Sequence, residues 1–131
     1  MKAQNAGRIV NISSVHGHVA SVNKAAYVAA KHGVLGLTKV IALETAETPI
    51  TCNAICPGWV RTPLVQKQID AHAKRAGISE DAAIVRMLGE KQPSKTFVLP
   101  SQIGQAVVYL CSDAASEIRG STINIDGGWL A

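Results

Sequence analysis

Tyr27 and Lys31 stand four residues apart in the stretch Asn23-Lys24-Ala25-Ala26-Tyr27-Val28-Ala29-Ala30-Lys31-His32-Gly33. The alanines favour a helix, and on a helix residues i and i+4 lie one above the other, so a phenol and an ammonium address one site. A free phenol titrates near pH ~10 and is a poor base at neutrality, but a cation about 4 to 6 Å away stabilises the phenolate and moves it towards working range. The chemistry on offer is proton transfer. Thirteen residues before Tyr27, Ser14 closes the run Arg8-Ile9-Val10-Asn11-Ile12-Ser13-Ser14. A hydroxyl at a strand end, followed by a helix carrying Tyr-x-x-x-Lys, can converge with that helix on one carbonyl.

The elements that must position these groups follow from the apolar pattern. A strand is expected over Arg8–Ser13, a Gly-, Ser- and His-rich loop over Val15–Asn23, and a long helix over Lys24–Ala46 with Val34, Leu37 and Ile41 among its apolar positions. Thr48-Pro49 should end it. Ile50–Ile55 is a nearly continuous apolar, β-branched run, as expected of a strand covered on both faces in a parallel sheet; Cys56-Pro57-Gly58 terminates it. Helices are expected over Gln66–Ala76 and Glu80–Leu88, separated by Gly77, then an irregular stretch Lys91–Pro100. A helix from Pro100 to Ser112 and a last strand Ser121–Ile125 complete the chain. Strand, helix, strand, helices, strand implies an α/β fold with a parallel sheet. Ligands of such sheets sit beyond the carboxyl ends of the strands, where Ser14, Pro57-Gly58 and Asp126-Gly127 fall.

Composition sets bounds. The chain has 131 residues, 47% of them hydrophobic, and a formal net charge of +4, which suits one domain with a Val, Ile, Leu and Ala core. The Lys and Arg residues are scattered and no aromatic-basic interleaving points to nucleic acid. The apolar runs look short of the roughly 20 residues of a membrane span, and Met-Lys-Ala-Gln-Asn lacks a secretory core, so a cytoplasmic protein is expected. Three cysteines, Cys52, Cys56 and Cys111, suggest reduced thiols. Cys52 and Cys56 lack the second Cys or His pair of a zinc site, and the four dispersed histidines give no metal site.

Three segments occur together in fixed order: Asn11-Ile12-Ser13-Ser14, the run from Tyr27 to Lys39, and Cys52-Asn53-Ala54-Ile55-Cys56-Pro57-Gly58-Trp59-Val60-Arg61-Thr62-Pro63. They resemble the second half of the short-chain dehydrogenase/reductase family, over Gly7 to Trp129. The resemblance implies the C-terminal half of a Rossmann-like doubly wound sheet, about three parallel strands with flanking helices. The Gly-rich first turn that lays a pyrophosphate on a helix N-terminus, the mid-chain Asn-Asn-Ala-Gly segment and the helix bearing the family's catalytic Asn are not in these residues. Residues 1–131 are therefore expected to be a partial domain, inactive alone, of a chain about twice as long, with residues 62–95 as a substrate lid.

Residue by residue, the resemblance makes Ser14 the hydroxyl polarising the substrate oxygen, Tyr27 the general acid/base, and Lys31 its activator and a contact to the nicotinamide ribose of NAD. Pro57, Gly58, Trp59, Val60 and Thr62 match the segment against the nicotinamide end. Ser14-Val15-His16-Gly17, Pro57–Val65, Glu90-Lys91-Gln92-Pro93-Ser94 and Asp126-Gly127-Gly128-Trp129 resemble the branch of the family that oxidises 3-hydroxybutyrate. A short hydroxy acid needs fixed donors for its carboxylate, for which His16, Lys24 and Gln68 are candidates, and an apolar wall, for which Trp59 and Trp129 are candidates. Two alternatives stay open: a reductase of acetoacetyl thioesters, and a truncated, non-catalytic association module. Family members pair through the last helix and strand, so a homo-oligomer, in the extreme a homotetramer, is expected. The loop that separates NAD from NADP lies outside these residues.

Overall fold

The computed structural model describes residues 1–131. Three parallel strands, β1 (Gly7–Ile12), β2 (Ile50–Pro57) and β3 (Thr122–Ile125), form one sheet in the order β1-β2-β3. The register places Ile9 opposite Cys52, Ile12 opposite Ile55, and Pro57 opposite Ile125. Between the strands run α1 (Ala25–Glu44), α2 (Pro63–Ala76), α3 (Glu80–Lys91) and α4 (Pro100–Cys111). The α/β class, the strand order along the chain and the parallel pairing are as expected.

β2 is buried at every position, which is why its sequence has no polar alternation. Ala54 and Cys56 face α1 through Leu35. Ile55 faces the other way, into a cluster with Leu110 of α4 and Ala115, against which Val10, Ile103, Val107 and Ile123 pack. Successive β2 side chains thus serve opposite layers. Burying each such aliphatic side chain contributes about 1.5–3 kcal/mol. Thr51 and Asn53, each 1% exposed, are the polar residues of β2, and Asn53 carries the longer reach. Its Nδ2 donates to the Ile118 carbonyl at 2.6 Å and its Oδ1 accepts the Ser121 N–H at 3.0 Å, fixing the entry to β3.

Several boundaries differ from the sequence expectation. β1 ends at Ile12, although the Ser13 N–H still donates to the Ile55 carbonyl at 2.8 Å. The stretch read as loop contains a single 3-10 turn, Val15–Gly17, capped by the Ser14 hydroxyl. α1 stops at Glu44, two residues short of Ala46, with the Thr45 N–H still donating to the Ile41 carbonyl at 3.1 Å. α2 starts at Pro63, earlier than Gln66: the Thr62 hydroxyl caps the Val65 N–H and proline suits the first helical position. α3 runs on to Lys91. Gly77, with φ of 64°, ends α2 in the left-handed region.

One expectation needs correction. α1 has 20 residues and, by length and composition only, is apolar enough to cross a membrane. Here Leu35, Thr38 and Ala42 bury one of its faces against the sheet, with the Thr38 hydroxyl accepting from Asn11 Nδ2 at 2.9 Å.

Candidate active site

Ser14, 7% exposed, follows the end of β1 in extended conformation. Its Oγ accepts the His16 N–H at 3.2 Å, and its carbonyl accepts the Gly17 N–H at 2.8 Å. The 3-10 turn holds this serine against the end of the sheet. Gly17 is required by close approach: a Cβ there would stand 2.8 Å from both Leu35 Cδ1 and Ser13 Oγ. Asn23, at φ of 62°, redirects the chain into α1, a conformation asparagine tolerates better than most residues.

From the first two turns of α1, Lys24, Tyr27 and Lys31 converge. The Lys31 ammonium lies 5.6 Å from the Tyr27 ring centroid and donates to the Ile12 carbonyl at 2.9 Å. Lys24 Nζ stands 5.9 Å from the same ring and 5.8 Å from the Trp59 ring. Tyr27 is half-exposed in the cleft between them.

His16 is the hub of the aromatic wall. Its ring meets Tyr27 edge-on at 5.7 Å and Trp129 at 5.6 Å, and Trp129 lies 6.2 Å from Trp59. The ring is 5% exposed, with Nε2 on the Ser21 hydroxyl at 2.9 Å. Burial, together with the nearby positive charges of Lys24 and Lys91, holds its pKa below the ordinary histidine value. The neutral ring is therefore the working form at pH 7.

After β2, the chain passes through Gly58, Trp59 and Val60. The single bridge between Val60 and Val98 uses the groups on either side of Val60: the Val98 N–H donates to the Trp59 carbonyl and the Arg61 N–H to the Val98 carbonyl, both at 2.9 Å. In such a parallel pairing Val60's own N–H and C=O point away from Val98, and no backbone partner takes them. They form a ready donor and acceptor for an amide. The Trp59 indole packs on the small core of α2 and α3 formed by Val65, Ile69 and Ala83, and its buried Nε1 has no hydrogen-bond partner. Arg61 pairs with Glu80 at 3.5 Å, and Gln66 Nε2 donates to both Asp70 and Glu80, joining the two helices.

One cleft of about 880 Å³ opens at the carboxyl end of the strands. Ser14, Tyr27 and Lys31 line it together with His16, Lys24, Trp59, Gln68 and Trp129, and with Pro57, Gly58, Val60 and Thr62. No sequence-picked residue falls elsewhere. Gln68 is exposed on α2 and the Thr62 side chain is occupied as the α2 cap. Sequence reasoning missed Leu64, Val65, Pro100 and Ile103, which supply further apolar lining, and gave no role to Gln92. No group of three or more His, Cys, Asp or Glu side chains could hold a metal ion. The arrangement places a hydroxyl, a phenol and two ammoniums around a space with apolar walls, a set of groups fit for moving a proton to or from a polarised oxygen.

The chain is 56% identical over 131 residues to a D-beta-hydroxybutyrate dehydrogenase of Cupriavidus necator and 50% identical to one of Rhizobium meliloti, covering 100% of this chain and 51% of each relative. It is also 37% identical over 128 residues to a monensin polyketide synthase putative ketoacyl reductase of Streptomyces virginiae. The chain spans about half the length of the curated relatives it matches. Among solved structures it is similar to an actinorhodin polyketide ketoreductase variant with NADPH, at 38% identity and a TM-score of 0.90, covering 98% of this chain and 49% of that one. A 4-hydroxyisoleucine dehydrogenase complexed with NADH gives 38% identity and a TM-score of 0.71, covering 94% and 46%. With the family model described as enoyl-(acyl carrier protein) reductase matching residues 1–130, the chain belongs to the short-chain dehydrogenase/reductase family of oxidoreductases.

Proposed function

We propose that the protein to which these residues belong catalyses reversible, NAD-dependent oxidation of (R)-3-hydroxybutyrate to acetoacetate. The observation that carries the reading is the convergence of Ser14, Tyr27 and Lys31 on one cleft whose remaining walls are Lys24, His16 and two indoles. Ser14 Oγ orients and polarises the substrate oxygen. Tyr27 takes the alcohol proton during oxidation and returns it to the ketone during reduction, beside the Lys31 ammonium. The nicotinamide, when bound, accepts or supplies the hydride.

The residues present suit the nicotinamide end of such a cofactor: Val60's free N–H and C=O would hold the carboxamide and Lys31 would reach the ribose. For the substrate carboxylate, Lys24 is the best-placed cation, standing over both Tyr27 and Trp59. His16, neutral and bound to Ser21, and Gln68 complete the anchor as hydrogen-bonding groups. The α2–α3 excursion, residues 62–95, acts as a lid whose closure excludes water and strengthens these ion pairs. The exposed Val108 and Tyr109 of α4, with Leu99 just before it, suit self-association through the last helix and strand, and the free thiols suit a reducing, cytoplasmic compartment.

An acyl-thioester reductase is the second reading, favoured by the ketoacyl reductases among the relatives. The two indoles, 6.2 Å apart beside Lys24, suit a short acid better than a long acyl arm. The test is NADH formation by the full-length protein with (R)-3-hydroxybutyrate, its (S) enantiomer and a 3-hydroxyacyl thioester in parallel. Turnover confined to the (R) acid is expected; preference for the thioester would replace the reading.

A further inference from the structure

Gln92 has 0% of its surface exposed. Its backbone closes α3, with its N–H donating to the Leu88 carbonyl and its carbonyl accepting the Lys95 N–H, both at 2.8 Å. A buried primary amide is stable only when its donor and acceptor ends are both paired. Here Oε1 accepts the Trp59 N–H at 2.8 Å and Nε2 donates to the Thr96 carbonyl. Two glycines leave room for it: a Cβ on Gly58 would stand 2.6 Å from Oε1, and one on Gly127 2.7 Å from Cγ. Two residues on, the Ser94 N–H donates to the Gly127 carbonyl at 2.9 Å. The return of the α2–α3 excursion thus ties down both loops that present the cleft's indoles, one through a side chain and one through the backbone.

We propose that Gln92 is a positioning residue, which sets the Trp59 wall and the adjoining Val60 backbone in register with the end of α3. A rotation of Trp59 away from its place changes its 6.2 Å approach to Trp129 and its 5.8 Å distance from Lys24 together, so the apolar wall and the carboxylate anchor are adjusted by one amide. The consequence for substrate rests on the hydroxy-acid reading above; the placement of the Trp59 ring does not.

Trp59 and Trp129 are the only tryptophans of residues 1–131, so in the full-length protein Trp129→Phe, with any tryptophan outside these residues also replaced by Phe, leaves Trp59 as the sole reporter. In that background, Gln92→Met and Gln92→Glu are compared with the parent by emission maximum, acrylamide quenching and far-UV circular dichroism. Gln92→Met keeps bulk but leaves the Trp59 N–H unpaired; a red shift and about twofold or greater quenching with unchanged far-UV signal are expected. A protonated carboxyl offers one donor and one acceptor, as the amide does, and burial favours that neutral form. Gln92→Glu should therefore match the parent at about pH 5. At about pH 8 its carboxylate can still accept the Trp59 N–H but has no proton for the Thr96 carbonyl and is repelled by it. The side chain is then displaced and the Trp59 spectrum moves part of the way towards that of Gln92→Met, with the parent measured in parallel to subtract the titration of His16 at about pH 5 to 8.

Trp59 spectra that match the parent in both folded variants overturn the proposal, as does a shift seen only together with loss of far-UV signal. Should Gln92→Met fail to fold, the pH series on Gln92→Glu decides alone, and a pH-independent spectrum overturns it. In the full-length protein, Gln92→Met is expected to raise KM for (R)-3-hydroxybutyrate about tenfold or more, with kcat much less affected. Failure of acetoacetate to quench Trp59 in the parent would count against the hydroxy-acid reading alone, leaving the spectral result to judge Gln92.

Discussion

Lys31 donates its ammonium to the carbonyl of Ile12 at 2.9 Å while lying 5.6 Å from the Tyr27 ring. The activating cation is therefore held by the last residue of the strand that delivers Ser14, so one hydrogen bond registers the helix-borne pair against the serine. Replacing Lys31 by methionine removes both the charge and the tie. In the full-length protein Lys31→Met is expected to lower kcat by about 10²- to 10⁴-fold, and Lys31→Arg, which keeps charge but not shape, to recover only part of the loss. Steady-state rates across pH check this; a kcat for Lys31→Met within a few-fold of the parent contradicts it.

His16 gives a pH dependence of stability. Its folded pKa lies below the ordinary value, through burial first and then Lys24 and Lys91, so the unfolded chain binds the proton more readily. Stability then rises with pH through this window: the contribution is complete above the unfolded pKa of about 6.5. It is lost progressively as pH falls from there through the folded pKa. Thermal melts between about pH 5 and 8 should show Tm falling on acidification through that window, and the fall should be smaller in His16→Gln. An equal slope in both would place the acid sensitivity elsewhere.

Thiol reactivity separates the cysteines. Cys111 is exposed, whereas Cys52 and Cys56 are buried and burial pushes both thiols up from their usual pKa, leaving little thiolate to react. A thiol reagent should label one site quickly in the native protein and the other two only on unfolding, as mass spectrometry of the labelled peptides would report. Rapid labelling at Cys56 would mean that the layer between α1 and β2 opens readily.

Asn53 is the buried polar group on which β3 depends. Asn53→Leu leaves the Ile118 carbonyl and the Ser121 N–H without their partner, at about 1–3 kcal/mol for each orphaned group. Denaturant titration should show a clear fall in midpoint with an unchanged slope. A neutral result would mean that water replaces the amide.

The sequence made the proton-transfer pair legible because spacing on a helix is local: Tyr27 and Lys31 share a face whatever the rest of the chain does. β2 was equally readable, since full burial writes itself as a nearly continuous apolar, β-branched run. The start of α2 was missed because the first turn holds Pro63 and Leu64, ahead of the polar helical pattern, and the signal lay in the Thr62 cap instead. The role of Gln92 was invisible for a different reason: a glutamine two-thirds of the way along the chain is polar on any scale, and its burial is decided by Gly58 and Gly127 coming to meet it from far away in sequence. The Ser21 partner of His16 was hidden likewise in a loop whose path no periodicity dictates.

The central claim is that the Tyr27 phenol carries the proton between substrate and solvent beside Ser14 and Lys31. Its most direct measurement pairs (R)-3-hydroxybutyrate turnover with NADH affinity for Tyr27→Phe in the full-length protein. Loss of about 10²- to 10⁴-fold in kcat with NADH affinity unchanged is the result this account predicts. Turnover within tenfold of the parent would contradict it.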